Sequence, residues 1–175
     1  MPVRPPRRRL GLPGLTGRRL GAIFLLGALA LGCGTPRAAL RPSQDGARRL
    51  AAFRFRTPVD GNVSSGFGGR GAGHHAGVDI LAPRGVPVRA SEGGTVVHAG
   101  SGMRGYGNAV VIDHGGGVTT LYGHLDAIRV ESGDAVPAGA VIGTVGRTGN
   151  ATTYHVHFEI RLDGEPVDPL EHLTT

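Results

Sequence analysis

The sequence predicts an all-β domain, an antiparallel β-sandwich or barrel-like sheet with glycine-rich loops. Three observations carry that expectation. The chain holds 32 glycines and 12 prolines against 5% aromatic residues, a composition that favours turns and short strands over long helices. Short β-branched runs recur between Gly, Pro, Asn and Asp. No stretch keeps a helical period beyond two turns.

In chain order the strand-like runs are "VPVRA", "GGTVVHAG", "NAVVIDH", "VTTLYGHL", "AVIGTVG" and "HVHFEIRL". Each is bounded by residues that punctuate strands. "DHGGGV", residues 113–118, connects two of them as a hairpin. "LDGEP" contains Asp163-Gly164, a dipeptide suited to a two-residue type I′ turn. These runs place the globular domain at 53–175, long enough for its own core.

Residues 33–52 read differently. "GTPRAALRPSQDGARRLAA" has no sustained apolar period and is expected to be a tether, with one helical turn near 47–52. Residues 1–32 read as an export leader. Arg4, Arg7, Arg8, Arg9, Arg18 and Arg19 precede "LGAIFLLGALALG", a run too short for a membrane span of about 20 residues but suited to a signal-peptide core. The chain's one cysteine, Cys33, follows that core directly. "ALGC" resembles a bacterial lipobox, which would make Cys33 a lipidated N-terminus and a membrane anchor; the alternative is an ordinary secretory signal with an incidental cysteine. A lone cysteine excludes an intramolecular disulfide framework.

Charge narrows the function classes. The net charge is +6, but the six leader arginines account for it, leaving 13 arginines against 13 acids. A nucleic-acid partner is therefore not expected, because no basic footprint remains in the domain. All 19 basic residues are arginine. That excludes Schiff-base, P-loop and lysine-linked cofactor chemistry, including the biotinyl or lipoyl carrier role suggested by the rhythm of "VESGDAVPAGAVIGTVG".

All eight histidines fall between positions 74 and 172. In "YHVHFEI", His155 and His157 share one strand face, opposite Val156, Phe158 and Ile160. Paired imidazoles suit a metal site, a general base, or one of each; two surface histidines on a half-exposed strand are the plain alternative. In "GHHAGVDI", His75 and Asp79 lie four apart with Gly77 between them. On an extended chain they share a face and could grip one ion, with Gly77 allowing a bend or a close approach. A third ligand from the last segment would leave a tetrahedral position open for water, the mark of catalytic zinc.

His-x-x-x-Asp, then "LYGHL", then His-x-His-Phe-Glu resemble the lysostaphin/LytM-type zinc metallo-endopeptidases of cell-wall peptidoglycan. The likeness runs for about 115 residues, from "TPVDGNVSSGFGGR" through "HHAGVDILAPRGVPVRASEGGTVVHAG" and "YGNAVVIDHGGGVTTLYGHL" to "FEIRLDGEPVDP". Three motifs in order, with the intervening glycines, make it specific. The resemblance implies a zinc groove in which His75, Asp79 and His157 bind one Zn2+, while His155 and His124 are catalytic. Zinc lowers the pKa of bound water from 15.7 to about 7; His155 could take the proton and pass it to the leaving amine, and His124 could stabilise the developing oxyanion. The implied partners are peptidoglycan peptides, while the lipobox-like "ALGC" and the short tether point to the periplasm or cell envelope, as an outer-membrane lipoprotein. The alternative on the same fold is a catalytically inactive regulator of other wall hydrolases, a class that typically loses metal ligands.

One departure from the family pattern is "TGNATTYHVH", where Thr153 stands in place of a common glycine; a left-handed backbone there would strain a β-branched residue. Among the other polar residues, His74, His98 and His172 are expected to be exposed or structural, and His114 structural or groove-lining. Tyr106 and Tyr122 are read as packing residues with hydroxyls near the groove. Arg70 either meets substrate carboxylates or braces its loop, and Asn108 pairs with backbone or substrate. Glu159 either orients a ligand imidazole or pairs with an arginine.

Overall fold

Alternation of apolar and polar side chains turns one side of each central strand inward. On the last long strand Val156, Phe158 and Ile160 are fully buried, and their partners come from every neighbouring strand. The structure, a computed structural model, describes residues 43–71 and 73–174; the leader, Cys33 and the first part of the expected tether lie outside them.

The described chain opens with helix α1 (Gln44–Ala51), β1 (Phe55–Arg56), β2 (Asn62–Ser65), β3 (Gly68–Arg70), β4 (Gly73–His75), β5 (Val78–Leu81), β6 (Pro87–Arg89) and β7 (Gly94–Gly100). It continues with β8 (Asn108–Asp113), β9 (Val118–Leu125), β10 (Ala127–Ile128), β11 (Ala135–Val136), β12 (Val141–Thr144), β13 (His155–Leu162), β14 (Glu165–Val167) and β15 (Leu173–Thr174). The main sheet runs β11-β7-β8-β9-β13-β5-β2, with β14 extending β13. A smaller sheet, β10-β12-β6, contributes Val88 and Ile142 to the same buried cluster as Val78, Ile80, Val110, Ile112, Tyr122 and Phe158 of the main sheet. Two antiparallel sheets sharing one core make the expected sandwich. The departure from antiparallel order is β1 on β15, which pair in parallel through Phe55 and Leu173.

The turns follow their sequence. Asp163 (φ 52°) and Gly164 (φ 84°) both take positive φ between β13 and β14, as a type I′ turn requires. Residues 113–118 close β8 onto β9, with Asp113 opposite Thr119.

The packed structure begins ahead of Phe53, in the segment read as tether. Ser43 caps α1 by accepting a bond from the Gly46 amide at 3.2 Å. Leu50 is 2% exposed and joins the core cluster. Arg49 donates to Gly116 O at 2.7 Å and to Asp163 Oδ1 at 2.9 Å, so the helix touches both hairpin turns. The ion pair faces solvent; burial of Leu50, about 1.5–3 kcal/mol, is the stronger attachment. One apolar residue in a polar stretch gave no periodic signal.

Gly77 sets how closely β5 approaches β13. A Cβ on it would lie 2.2 Å from Phe158 O and 2.8 Å from the Glu159 side chain, so only glycine permits this contact. Gly77→Ala is expected to lose about 1–3 kcal/mol by forcing the strands apart. Denaturant unfolding of the variant measures it, and an unchanged midpoint would refute the close-approach role.

Candidate metal centre

Strand pairing brings the central residues together. β13 lies between β5 and β9, and its register puts His157 opposite Asp79 on one side and Gly123 on the other. Directly opposed residues share a face, so Asp79 meets His157 while Gly123 leaves room above the strand. His75 ends β4, four residues before Asp79. The result is His157 Nδ1 to Asp79 Oδ1 at 2.8 Å, His75 Nε2 to Asp79 Oδ1 at 3.2 Å, and His75 Nε2 to His157 Nδ1 at 3.1 Å. These three donor atoms could hold one metal ion.

The outer atoms of each residue explain why the inner ones are free. The His75 Nδ1–H donates to Gly66 O at 2.7 Å, and the His157 Nε2–H donates to Glu159 Oε1 at 2.9 Å. Arg70 donates to Asp79 Oδ2 at 2.8 Å and also to Ser65 Oγ. Two unprotonated imidazole nitrogens and a carboxylate oxygen therefore point at one spot. Three converging lone pairs repel unless a positive charge sits among them. Two imidazoles with one carboxylate is also a known catalytic zinc donor set, so the residues fit a divalent metal.

The electrostatics agree. Burial disfavours charge on Asp79, but the His157 imidazole, the Arg70 guanidinium and His75 around it prevail and hold the carboxyl well below the usual range. Burial likewise works against a charged His157, yet the Asp79 and Glu159 carboxylates prevail and raise its pKa. The pocket favours positive charge at His157 Nδ1.

Glu159 is fully buried. It accepts from His157, from the Tyr106 hydroxyl at 2.7 Å and from Arg161 Nε at 2.5 Å. Arg161 also donates to the Tyr106 oxygen at 3.2 Å. These donors more than offset desolvation and lower the Glu159 pKa, while burial and the bond to Glu159 push Tyr106 up to about 12. Glu159 thus does both things the sequence left open: it orients an imidazole and pairs with an arginine. Arg161 was not anticipated; its position two residues after Glu159 on the same strand face was the available signal.

His155 and His124 complete the floor. The His155 Nδ1–H donates to Thr153 O at 3.0 Å, and Nε2 lies 3.6 Å from Asp79 Oδ1. His124 sits in a bulge of β9. Asn108 pairs with Leu125 and Val110 with Tyr122, so Gly123 and His124 together oppose Ala109. This extra residue re-aims the side chain and puts His124 at φ 63°, a conformation that costs a non-glycine residue about 1–3 kcal/mol. Its Nδ1–H donates to Thr148 O at 2.8 Å. Its ring centroid lies 4.8 Å from that of His155 and 5.9 Å from that of His157, and burial lowers its pKa. All five residues line one groove of about 410 Å3.

Other expectations divide. His74 is exposed, packs edge-on against Phe67 at 5.0 Å and reaches only the groove's lining. His98 and His172 are half-buried away from it. His114 is structural, bonded to Gly93 O and Thr120 Oγ1, both at 2.9 Å. Tyr122 packs as expected, paired with Phe158 on the core face, but its hydroxyl lies away from the groove, where it accepts the Ser91 amide at 2.8 Å. Asn108 bonds backbone, at Asp126 O. Thr153 carries no strain, since the non-glycine residues at positive φ among those described are His124 and Asp163.

An antiparallel sheet that sets a His-Asp-His donor set beside two further imidazoles places this domain among folds built to hold a metal ion in an open groove. The chain belongs to peptidase family M23, whose model matches residues 73–169. It is 50% identical over 96 residues to DD-carboxypeptidase/endopeptidase Mpg of Neisseria meningitidis serogroup B, covering 55% of this chain and 22% of that protein. It is 40% identical over 119 residues to murein hydrolase activator NlpD of Salmonella typhimurium, covering 68% of this chain and 31% of that protein. Among solved structures, the antimicrobial peptidase lysostaphin from Staphylococcus simulans superposes with a TM-score of 0.61 at 33% identity, over 65% of this chain and 49% of that one. The chain thus spans less than a third of the length of either curated relative.

Glu159→Gln keeps the size but gives up the charge that holds His157, Tyr106 and Arg161. Zinc affinity is expected to fall about 10- to 100-fold, read by competition against a chromophoric chelator. Affinity equal to that of the parent protein would rule out the orienting role.

Proposed function

We propose that this protein is a zinc-dependent endopeptidase that hydrolyses peptide cross-links or stem peptides of bacterial peptidoglycan. The observation that carries the reading is the complete set of groups: three converging donors at His75, Asp79 and His157, with His155 and His124 on the same groove. The names of the relatives, a DD-carboxypeptidase/endopeptidase and a murein hydrolase activator, support peptidoglycan as the target.

His75, Asp79 and His157 would hold the zinc, which when bound supplies a Lewis acid that acidifies water and polarises a peptide carbonyl. The protein's own groups do the rest. With Nδ1–H given to Thr153 O, His155 turns an unprotonated Nε2 into the groove, suited to take the proton of the attacking water. The imidazolium so formed carries a proton at Nε2 and can return it to the leaving amine. His124, held by Thr148 O in the same tautomer, also enters as an acceptor; it stabilises negative charge on the carbonyl oxygen only once protonated. The carbonyl anchors therefore favour His155 and His124 sharing one proton over two fixed roles. The strained backbone at His124 fits a residue kept for its position rather than its stability.

A second reading has an observation of its own: one relative is named an activator of murein hydrolases. That reading needs a groove that binds without cutting, and gives no reason for an intact donor set. We further propose an envelope location, with Cys33 as a lipid anchor after a leader at 1–32; among the described residues no helix is long and apolar enough to cross a membrane.

Two measurements test this. His157→Ala should lose zinc and activity together, whereas His155→Ala should keep zinc while turnover falls roughly 10²–10⁴-fold; stoichiometric zinc in the first variant, or zinc loss in both, overturns the division. The zinc-loaded protein incubated with isolated sacculi should release fragments cut within the peptide, and a chelator should abolish the release. Bound zinc with intact sacculi would favour the activator reading.

A further inference from the structure

The charged side chains lining the groove are Arg70, Asp79, Arg104 and Glu159. Three of them are spent. Asp79 is held by His157 and Arg70, and Arg70 by Asp79 and Ser65. Glu159 is fully buried under His157, Tyr106 and Arg161. Arg104 is exposed and has neither ion pair nor hydrogen bond among the described residues. The groove therefore offers one uncommitted cation and no uncommitted anion.

The free guanidinium stands on a braced base. The Tyr106 amide closes a turn onto Met103 O at 3.2 Å, and the Asn150 amide donates to Gly105 O at 3.0 Å. Tyr106 is fixed in turn through its hydroxyl on Glu159. Below it, Gly107 (φ +65°) and Gly149 (φ +66°) press backbone to backbone: a Cβ on Gly107 would lie 2.5 Å from Gly149 N. Two loops are locked together where the metal site ends, and Arg104 projects from the lock. A buried, paired arginine would only support the loop. An exposed, unpaired one on a fixed mount is placed to take a ligand.

We propose that Arg104 is a specificity residue that binds a free carboxylate on the peptide occupying the groove. This deepens the endopeptidase reading, and rests on it only for the claim that the bound peptide is cut. Guanidinium is always charged, and its fork matches a carboxylate with two parallel N–H···O bonds. A peptide bearing a carboxylate gains that contact; an uncharged glycyl peptide does not. The carboxylate can come from the peptide's C-terminus or from an acidic side chain.

The test uses the full-length protein and a fluorescein-labelled peptide, diaminopimelyl-D-alanyl-D-alanine, in three forms: unmodified, amidated at the C-terminus, and amidated on the diaminopimelate side chain. Anisotropy on zinc-free protein reads binding without turnover, and the zinc-loaded protein reads cleavage. One amidation should weaken binding about 3- to 10-fold, the range for a partly solvated ion pair, and which one does so identifies the source of the carboxylate. Arg104→Gln should bind all three forms alike, and Arg104→Lys should recover part of the preference, since it keeps the charge but not the fork. Equal binding of the three forms by the parent protein overturns the proposal, as does a preference that survives in Arg104→Gln. The carboxylate site stands or falls on these binding data alone, and release of fragments from sacculi by the zinc-loaded protein decides the endopeptidase reading separately.

Discussion

The structure depends most on the register of β13 between β5 and β9. Because side chains alternate with period 2, a slip of one residue would send His155, His157 and Glu159 into the core and Val156, Phe158 and Ile160 into the groove. Six residues of opposite character on one strand make that slip prohibitive. The same register sets His157 across from Asp79 and opens space at Gly123. Metal site and hydrophobic core are thus two sides of one strand, and neither can be repacked without disturbing the other.

That arrangement buries unusual polarity. His75, His124, His155, His157 and Glu159 are all buried, and burying polar groups is costly unless each finds a partner. Here each does, and the partners also define the chemistry. Carbonyls at Gly66, Thr148 and Thr153 take the outward N–H of three imidazoles, and Glu159 takes that of the fourth. Satisfying the hydrogen-bond requirement turns an unprotonated nitrogen of every ring toward the groove. The requirement to hydrogen-bond buried polar atoms and the requirement to present lone pairs to a metal or a proton are met by the same contacts.

Precision comes from glycine and from one strained residue. Gly77 permits the contact with Phe158 O that carries Asp79 to His157, and Gly107 and Gly149 permit two loops to touch through their backbones. His124 accepts a left-handed backbone because the bulge in β9 leaves it no extended alternative, and its amide is held by Tyr106 O at 2.7 Å. The close contact of Gly107 with Gly149 also fixes the backbone beneath Arg104, whose side chain stays exposed at the groove.

The sequence by itself pointed to the strand alternation, the two hairpin turns and the His155/His157 pair; His124 entered only through the family resemblance, and the fold brings it with His75 and Asp79 to the same groove. The local part rests on β-branched runs, Gly-rich and Asp-Gly turns, and two histidines two apart on one strand, whereas His75 and Asp79 end up on separate strands, β4 and β5. What only the tertiary structure decided depends on contacts between distant segments. Helix α1 joins the domain through the buried side chain of Leu50 and the bonds of Arg49 to Gly116 O and Asp163, too few contacts to leave a period in the sequence. Tyr122, like Tyr106 in composition, faces the core because its register pairs it with Phe158. Tyr106, Glu159 and Arg161 form one network because β13 and the loop before β8 converge. Backbone carbonyls, which select the histidine tautomers, carry no sequence signature at all, so the direction of every imidazole waits on the fold.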